Sequence, residues 1–422
     1  PRERPAAGED ITPWINWRLF CIERLNDFLC DMGMRAHEGY NAPENLTCHM
    51  ACPVSPGAVI RGEDYFATAE GMDILGITAY IPHRGPSYHL AGLQLAAAES
   101  AAATFGKHTW LIEYNARTNM PPQEWQRETY AAIAQGLKGI LYYQWRADYP
   151  FADGPEPEGF GLLFNDGRKT PVFETAAAMN HMINRLGDKI AVAEKQRCGV
   201  GILYSNHANA YWDAVDNVGV NAVTECSERS ILSTRRLYTL LSERSIPADF
   251  ARGCDLATNA LGIHTLLLPV HEGLSDAELD EVDAFVSGGG RAYVFQDDVL
   301  GFVPYQREMP FVAHGIVREQ YDLDTLLHAV NVKAPARVQG AEHVDARMLQ
   351  ADTHAICCLV NYDPLERPVE GATLHIPGLA YLTAKAYAPD LPENGLPLAI
   401  NNETIALPRL SYGALIVLTG GK

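Results

Sequence analysis

The sequence predicts an α/β protein in three parts: half of an eight-stranded β/α barrel over residues 1–195, a doubly wound α/β domain over 196–335, and a small β-sandwich over 336–422. Three observations carry this reading. Between residues 14 and 175, helical periodicity alternates with short apolar runs, the pattern of βα units building a parallel sheet. From Cys198 the alternation resumes with a different composition, and beyond about residue 335 only short strand-like runs remain. A chain of 422 residues also exceeds the size at which one core keeps growing, so several domains are expected.

Each element has its own justification. Trp17 to Met34 places Phe20, Leu25, Phe28 and Leu29 at helical spacing, and Leu46 to Ala51 follows as a buried strand. The second unit pairs a helix from Glu63 to Glu70 with a strand from Ile74 to Tyr80. The third pairs an Ala-rich helix, Leu90 to Thr104, with a strand from Thr109 to Tyr114. A helix from Trp125 to Gln135 and an aromatic-rich strand from Gly139 to Trp145 form the fourth, and a helix from Val172 to Leu186 follows after a loop. The second part reads as strand Gly199 to Tyr204, helix Ser233 to Glu243, strand Thr265 to Pro269, helix Asp276 to Val286 and strand Arg291 to Phe295. In the last part the runs Ala355 to Val360, Ala372 to Ile376, Ala384 to Ala388, Ile405 to Leu407 and Ala414 to Leu418 read as strands.

Composition narrows the function classes. A formal charge of -19 repels phosphate backbones and anionic lipid, so nucleic acid and membrane surfaces are poor partners while neutral ligands such as sugars stay open. No apolar run approaches the roughly 20 residues needed to cross a bilayer. Nine cysteines without paired spacing point to a reducing compartment, and the expected location is cytoplasmic. Cys48 and Cys52 form a C-x3-C, but no second pair follows at finger spacing, so no metal is expected. Cys226 lacks the glycines of a nucleophile elbow, and Gly288-Gly289-Gly290 leads into a strand where a dinucleotide loop would open a helix.

The chemistry concentrates at two strand ends. In Thr109-Trp110-Leu111-Ile112-Glu113-Tyr114 an apolar strand closes on a carboxylate, and the C-terminal ends of parallel barrel strands form the active-site mouth. The next strand ends Tyr142-Tyr143-Gln144-Trp145-Arg146, aromatics and a cation suited to stacking on a sugar face and bonding its hydroxyls. A glutamate ending an apolar strand is, by itself, more often a salt-bridged rim residue.

A strand ending Trp-Leu-Ile-Glu, then an Asn and a Pro, a helix containing Ala-x-Gly, and Tyr-Tyr-Gln-Trp-Arg together resemble the β-galactosidases of glycoside hydrolase family 42. The resemblance covers nearly the whole chain. It implies the C-terminal half of a TIM (β/α)8 barrel, a trimerisation-like middle domain and a terminal sandwich. It also implies a retaining hydrolase of β-galactosides or related small glycosides, without cofactor or metal, assembling as a homotrimer when full length. Glu113 corresponds to the nucleophile ending the seventh barrel strand, and Trp145 belongs to the motif ending the eighth. Tyr80, Asn115, Tyr143, Arg146 and Glu158 join Trp145 as substrate-binding candidates, and a cis peptide is implied immediately before Trp145.

The chain departs from the family pattern in three places. Family members carry the acid/base glutamate in an Asn-Glu pair ending the fourth strand; none stands near the start here, Asn402-Glu403 falls in the β tail, and Glu38 falls where the family has a helix end. The acid/base is therefore expected upstream of Pro1, and the chain alone to be catalytically incomplete, since retention needs two carboxyls. Asn119-Met120 stands where the family has Asn-Trp, and Glu156-Pro157-Glu158-Gly159-Phe160 lacks the histidine of its sugar-gripping Glu-x-x-His. The rival expectation is a carbohydrate-binding or scaffold protein that keeps the fold without hydrolysis.

Overall fold

The computed structural model describes residues 4–40, 47–50, 58–79, 90–115, 121–147, 159–217, 229–309 and 320–420. Its first element, helix α1 (Thr12–Tyr40), extends beyond the periodic stretch at both ends. Strand β1 (Thr47–Met50), short helices α2 (Ala58–Arg61) and α3 (Tyr65–Gly71), strand β2 (Ile74–Ala79), helix α4 (Leu90–Thr104), strand β3 (His108–Asn115), helix α5 (Pro122–Ala134) and strand β4 (Gly139–Tyr143) then follow. Asp64 starts α3 by accepting from the backbone N–H groups of Phe66 and Ala67, satisfying donors the first turn leaves open.

The four strands pair in parallel in the order β1-β2-β3-β4, the order of the chain. A sheet laid down in one direction with right-handed crossovers carries its helices on one face. The burial along β4 follows from this: Ile140 and Tyr142 pack into the helix-side core, while Leu141 is 46% and Tyr143 38% exposed on the other face. Helix α4 is apolar nearly all round because it is buried all round, packing on β2 and β3 and also on the second sheet.

Helix α6 (Phe173–Val192) leads to β5 (Glu194–Lys195), which pairs not with its predecessors but with the distant β12 (Val344–Gln350). Strand β6 (Val200–Leu203), helices α7 (Asn206–Asp216) and α8 (Arg229–Ser242), strands β7 (Ala248–Ala251) and β8 (Thr265–Leu268), helix α9 (Asp276–Ser287), and strands β9 (Arg291–Gln296) and β10 (Gly301–Pro304) make the second unit. Its sheet runs β10-β9-β8-β6-β7, all parallel except for the β10 edge. Helix α7 and strand β7 lie outside the sequence expectation. Strand β7 reads Ala-Asp-Phe-Ala, too short for a periodic signal and carrying a charge that a buried strand tolerates only when paired.

That pairing exists. Asp249 is met by Lys195 at 2.9 Å and by Arg197, and Glu99 on α4 holds the same two cations at 2.8 and 2.5 Å. The network joins the first helix layer, the second sheet and the strand that enters the third unit.

After α10 (Leu323–Ala329) come β11 (Arg337–Gln339), β12, β13 (His354–Asn361), β14 (Thr373–His375), β15 (Thr383–Tyr387), β16 (Leu396–Leu398), β17 (Ile400–Asn401), β18 (Thr404–Ala406) and β19 (Gly413–Thr419). They form two sheets, β16-β15-β19-β13-β12-β5 and β11-β14-β18-β17. The face of β13 and β19 that carries Ile356, Cys358, Val360, Leu415 and Val417 packs on α5 and α6. No described helix is long and apolar enough to cross a membrane.

Candidate active site

The position of Glu113 depends on a register break. Strand β3 pairs with β2 through Ile77–Leu111 and then Thr78–Glu113, leaving Ile112 without an opposite number. On the other edge Leu111 pairs with Ile140 and Tyr114 with Tyr142, so Ile112 and Glu113 together oppose Leu141. Strict alternation would place Leu111 and Glu113 on one face. The extra residue changes the parity, as a bulge does, putting Leu111 and Tyr114 both on the helix side and turning Glu113 to the opposite face. Leu111 and Tyr114 are accordingly buried in the helix-side core, whereas Glu113 keeps intermediate exposure.

Behind the bulge an aromatic cluster fixes the strand ends. The Tyr114 and Trp125 rings stack at 4.2 Å, and Tyr142 lies 5.0 Å from Trp125. The Tyr114 hydroxyl donates to the Trp125 carbonyl at 2.6 Å, and that of Tyr142 donates to Asn180 Oδ1 at 2.5 Å. Burial pushes the Tyr114 hydroxyl well above its ordinary range and that of Tyr142 up to about 12, so both remain protonated donors at neutral pH. Neither is legible in the sequence as a buried anchor, because the neighbours along both strands are largely apolar or aromatic and no alternation marks the faces.

The β4 exit supplies the platform. Trp145 is 63% exposed, its ring edge-on to Phe173 at 6.1 Å, and Tyr143 lies 5.8 Å from Phe160. The backbone of 144–147 is held to 161–163: Leu162 N–H donates to Gln144 O, Leu163 N–H to Trp145 O, and Ala147 N–H to Leu163 O, all within 2.9 Å. Gly161 is required there, since a Cβ would sit 2.4 Å from the Ala147 nitrogen. At Gly139 the missing side chain leaves room for the Trp110 ring, 2.5 Å from where a Cβ would be.

Other candidates fare differently. Arg146 is exposed, and its guanidinium donates to the Asn165 carbonyl, so its present contact is with the protein's own loop. Asn115 pairs with Tyr143 across β3–β4, which puts its backbone at the same strand end. Tyr80 and Glu158 lie outside the described residues. The expected cis peptide before Trp145 is corrected: the cis bond is Tyr143–Gln144, one residue earlier, and the strand ends there too, with Gln144–Arg146 already turning toward 161–163. No group of three or more His, Cys, Asp or Glu able to hold a metal occurs among the described residues.

No protein-family model matches the chain, and no curated protein matches it in sequence. Solved structures do match. A catalytic mutant of a GH42 β-galactosidase from G. stearothermophilus superposes with a TM-score of 0.71 at 14% identity, covering 99% of this chain and 70% of that one. The chain has the fold of the GH42 β-galactosidases. The β-galactosidase of Bacillus circulans sp. alkalophilus gives 0.66 at 14% identity over 97% of this chain and 68% of its own. An exo-carrageenase GH42 from Bacteroides ovatus gives 0.64 at 12% over 97% and 56%. The GH42-like fold thus occurs in proteins named for different glycans, and the sugar must be argued from the site.

Proposed function

We propose that this chain carries the nucleophile side of a retaining β-glycosidase site for β-galactosides or related small glycosides, on a sheet that forms the second half of a (β/α)8 barrel. The observation that supports it most directly is the bulge at Ile112, which turns Glu113 to the face where Tyr143 is exposed, one strand from Trp145. In the proposed reaction a Glu113 oxygen bonds to the anomeric carbon as the bond to the leaving oxygen breaks, and an acid gives that oxygen its proton. Water then attacks the glycosyl–Glu113 ester, losing its proton to the same acid's conjugate base, and releases sugar with retained configuration. The middle domain would supply the trimer contacts.

The acid is the outstanding member. Within β1–β4 Glu113 is the sole carboxylate, and retention places the partner carboxyl about 5–5.5 Å away. The same observation favours the second reading, a protein that binds sugars on this platform without cleaving them.

The two readings separate in one experiment on the complete protein. Incubation with an activated 2-deoxy-2-fluoro-β-galactoside should add one fluoroglycosyl group, and peptide mapping should place it on Glu113. A label on another carboxylate excludes Glu113 as nucleophile, and no label alongside saturable binding of the glycoside identifies the binder. In either reading Trp145→Ala should weaken glycoside binding about tenfold, the scale of one lost aromatic stack. Because Trp145 is 63% exposed, the unfolding free energy should stay within about 0.5 kcal/mol. Unchanged affinity by titration calorimetry would remove Trp145 from the platform.

A further inference from the structure

The middle sheet opens a crevice of its own, apart from the Glu113 face. Chain order runs β6 to β7 on one side and then jumps back across β6 to β8, so the strand order reverses between β6 and β8. In open α/β sheets the crossovers diverge at such a point and leave a crevice beyond the carboxyl ends of the strands. Tyr204 and Ser205, just after β6, and Val270, just after β8, line a narrow crevice there. It shares Pro269 and Val270 with a wider cleft of about 410 Å³ that continues over the carboxyl end of β9.

That cleft is polar and charge-compensated. Arg229, Arg236, Glu272, Asp297 and Asp298 line it. Arg236 Nη1 meets Asp297 Oδ1 at 2.7 Å, and Arg229 lies over the Trp212 ring at 4.0 Å while reaching Asp216 at 2.8 Å. His271 lines the same wall, and its buried Nε2 has no hydrogen-bond partner. An anion would have to displace a carboxylate from a guanidinium to find a free cation. A hydroxyl pair needs no such exchange: one oxygen accepts from Arg236 while its neighbour donates to Asp297, each bond assisted by a charge the protein already holds in place.

We propose that the carboxyl edge of the middle sheet, between α8 and the β9 exit, binds a neutral polyhydroxylated small molecule, a sugar, through Arg236 and Asp297. The site is separate from the Glu113 face and stands whether or not that face hydrolyses glycosides.

The test is calorimetric titration of the protein with methyl β-galactoside, glucose and citrate, with the Trp212 indole N–H followed by NMR. A sugar should bind and shift the Trp212 signal, whose donor now contacts the Glu272 carbonyl at 3.1 Å. Asp297→Asn and Arg236→Gln should each weaken that binding about tenfold or more, the consequence of losing a charge-assisted hydrogen bond. Trp145→Ala should leave the Trp212 shift intact. Both exchanged side chains are partly solvent-exposed, so the fold should survive, and the NMR shift in the unaltered protein reads the site without any variant. The proposal is overturned if no sugar moves the Trp212 signal, if citrate binds in place of sugar, or if sugar binding ignores both exchanges and falls only with Trp145→Ala.

Discussion

In the complete protein, Glu113→Gln should lower kcat on aryl β-galactosides by roughly four orders of magnitude, about 5 kcal/mol of transition-state stabilisation, while the unfolding midpoint stays put. The amide keeps the shape of the side chain and its place beside Thr78 in the bulged register. It cannot form the glycosyl ester, nor carry the negative charge that stabilises an oxocarbenium-like transition state. Binding of intact glycoside should be retained, because the Tyr143 and Trp145 platform is untouched; the loss therefore falls on kcat and not on affinity. Steady-state kinetics on aryl β-galactosides, β-glucosides and α-arabinosides, with affinity measured separately, check this. Turnover within tenfold of the parent would make Glu113 a rim residue.

The second large effect concerns stability. Arg347→Ala should cost about 3–5 kcal/mol, because it leaves the Asp345 carboxylate buried without its cation. Arg347 Nη2 and Asp345 Oδ2 lie 2.9 Å apart, with side chains only 1% and 3% exposed, and Ser242 Oγ from α8 donates to the same oxygen at 2.8 Å. The pair stands where the second unit meets the sandwich, so the loss should appear as separate unfolding of these units. Burial pushes the Asp345 carboxyl above its ordinary 3.8, and Arg347 is the largest influence holding it down. Without Arg347 the folded-state value climbs further. A carboxyl with a raised folded-state pKa stabilises the fold below its unfolded pKa and loses that contribution as pH rises through the folded one. The deficit of Arg347→Ala should therefore be largest at neutral pH and shrink as pH falls toward 3.8. Replacing both partners by apolar residues should cost much less than the single change. Urea titrations at two pH values decide; a single-variant loss under about 1 kcal/mol, or one that does not vary with pH, would sink the argument.

A long Ala-rich or apolar run marks its element in one dimension, whereas α7, with alanines and Asp213 on its buried side, carries too weak an apolar signal to be read. The Ala-rich run 90–104 is α4, residue for residue, and the runs read as strands over 74–80 and 109–114 correspond to adjacent parallel strands spanning Ile74–Ala79 and His108–Asn115. The sequence by itself also marked Glu113 as a carboxylate near the C-terminal end of one of those strands, which runs on to Asn115, because a charge after an apolar run is visible without any contact. Tertiary structure decided which way that carboxylate faces. Trp110 to Tyr114 is apolar or aromatic except at Glu113, so no alternation marks the faces, and the unpaired Ile112 becomes visible only when β2 and β4 set their registers against β3. Tertiary structure likewise decided that β7 is a strand at all: four residues carry little propensity, and Asp249 is tolerated in the interior only because Lys195 and Arg197, more than fifty residues away in the chain, arrive to neutralise it. Periodicity is a local signal and survives in one dimension; register and charge compensation are relations between segments distant in sequence, and they exist only once the chain has folded.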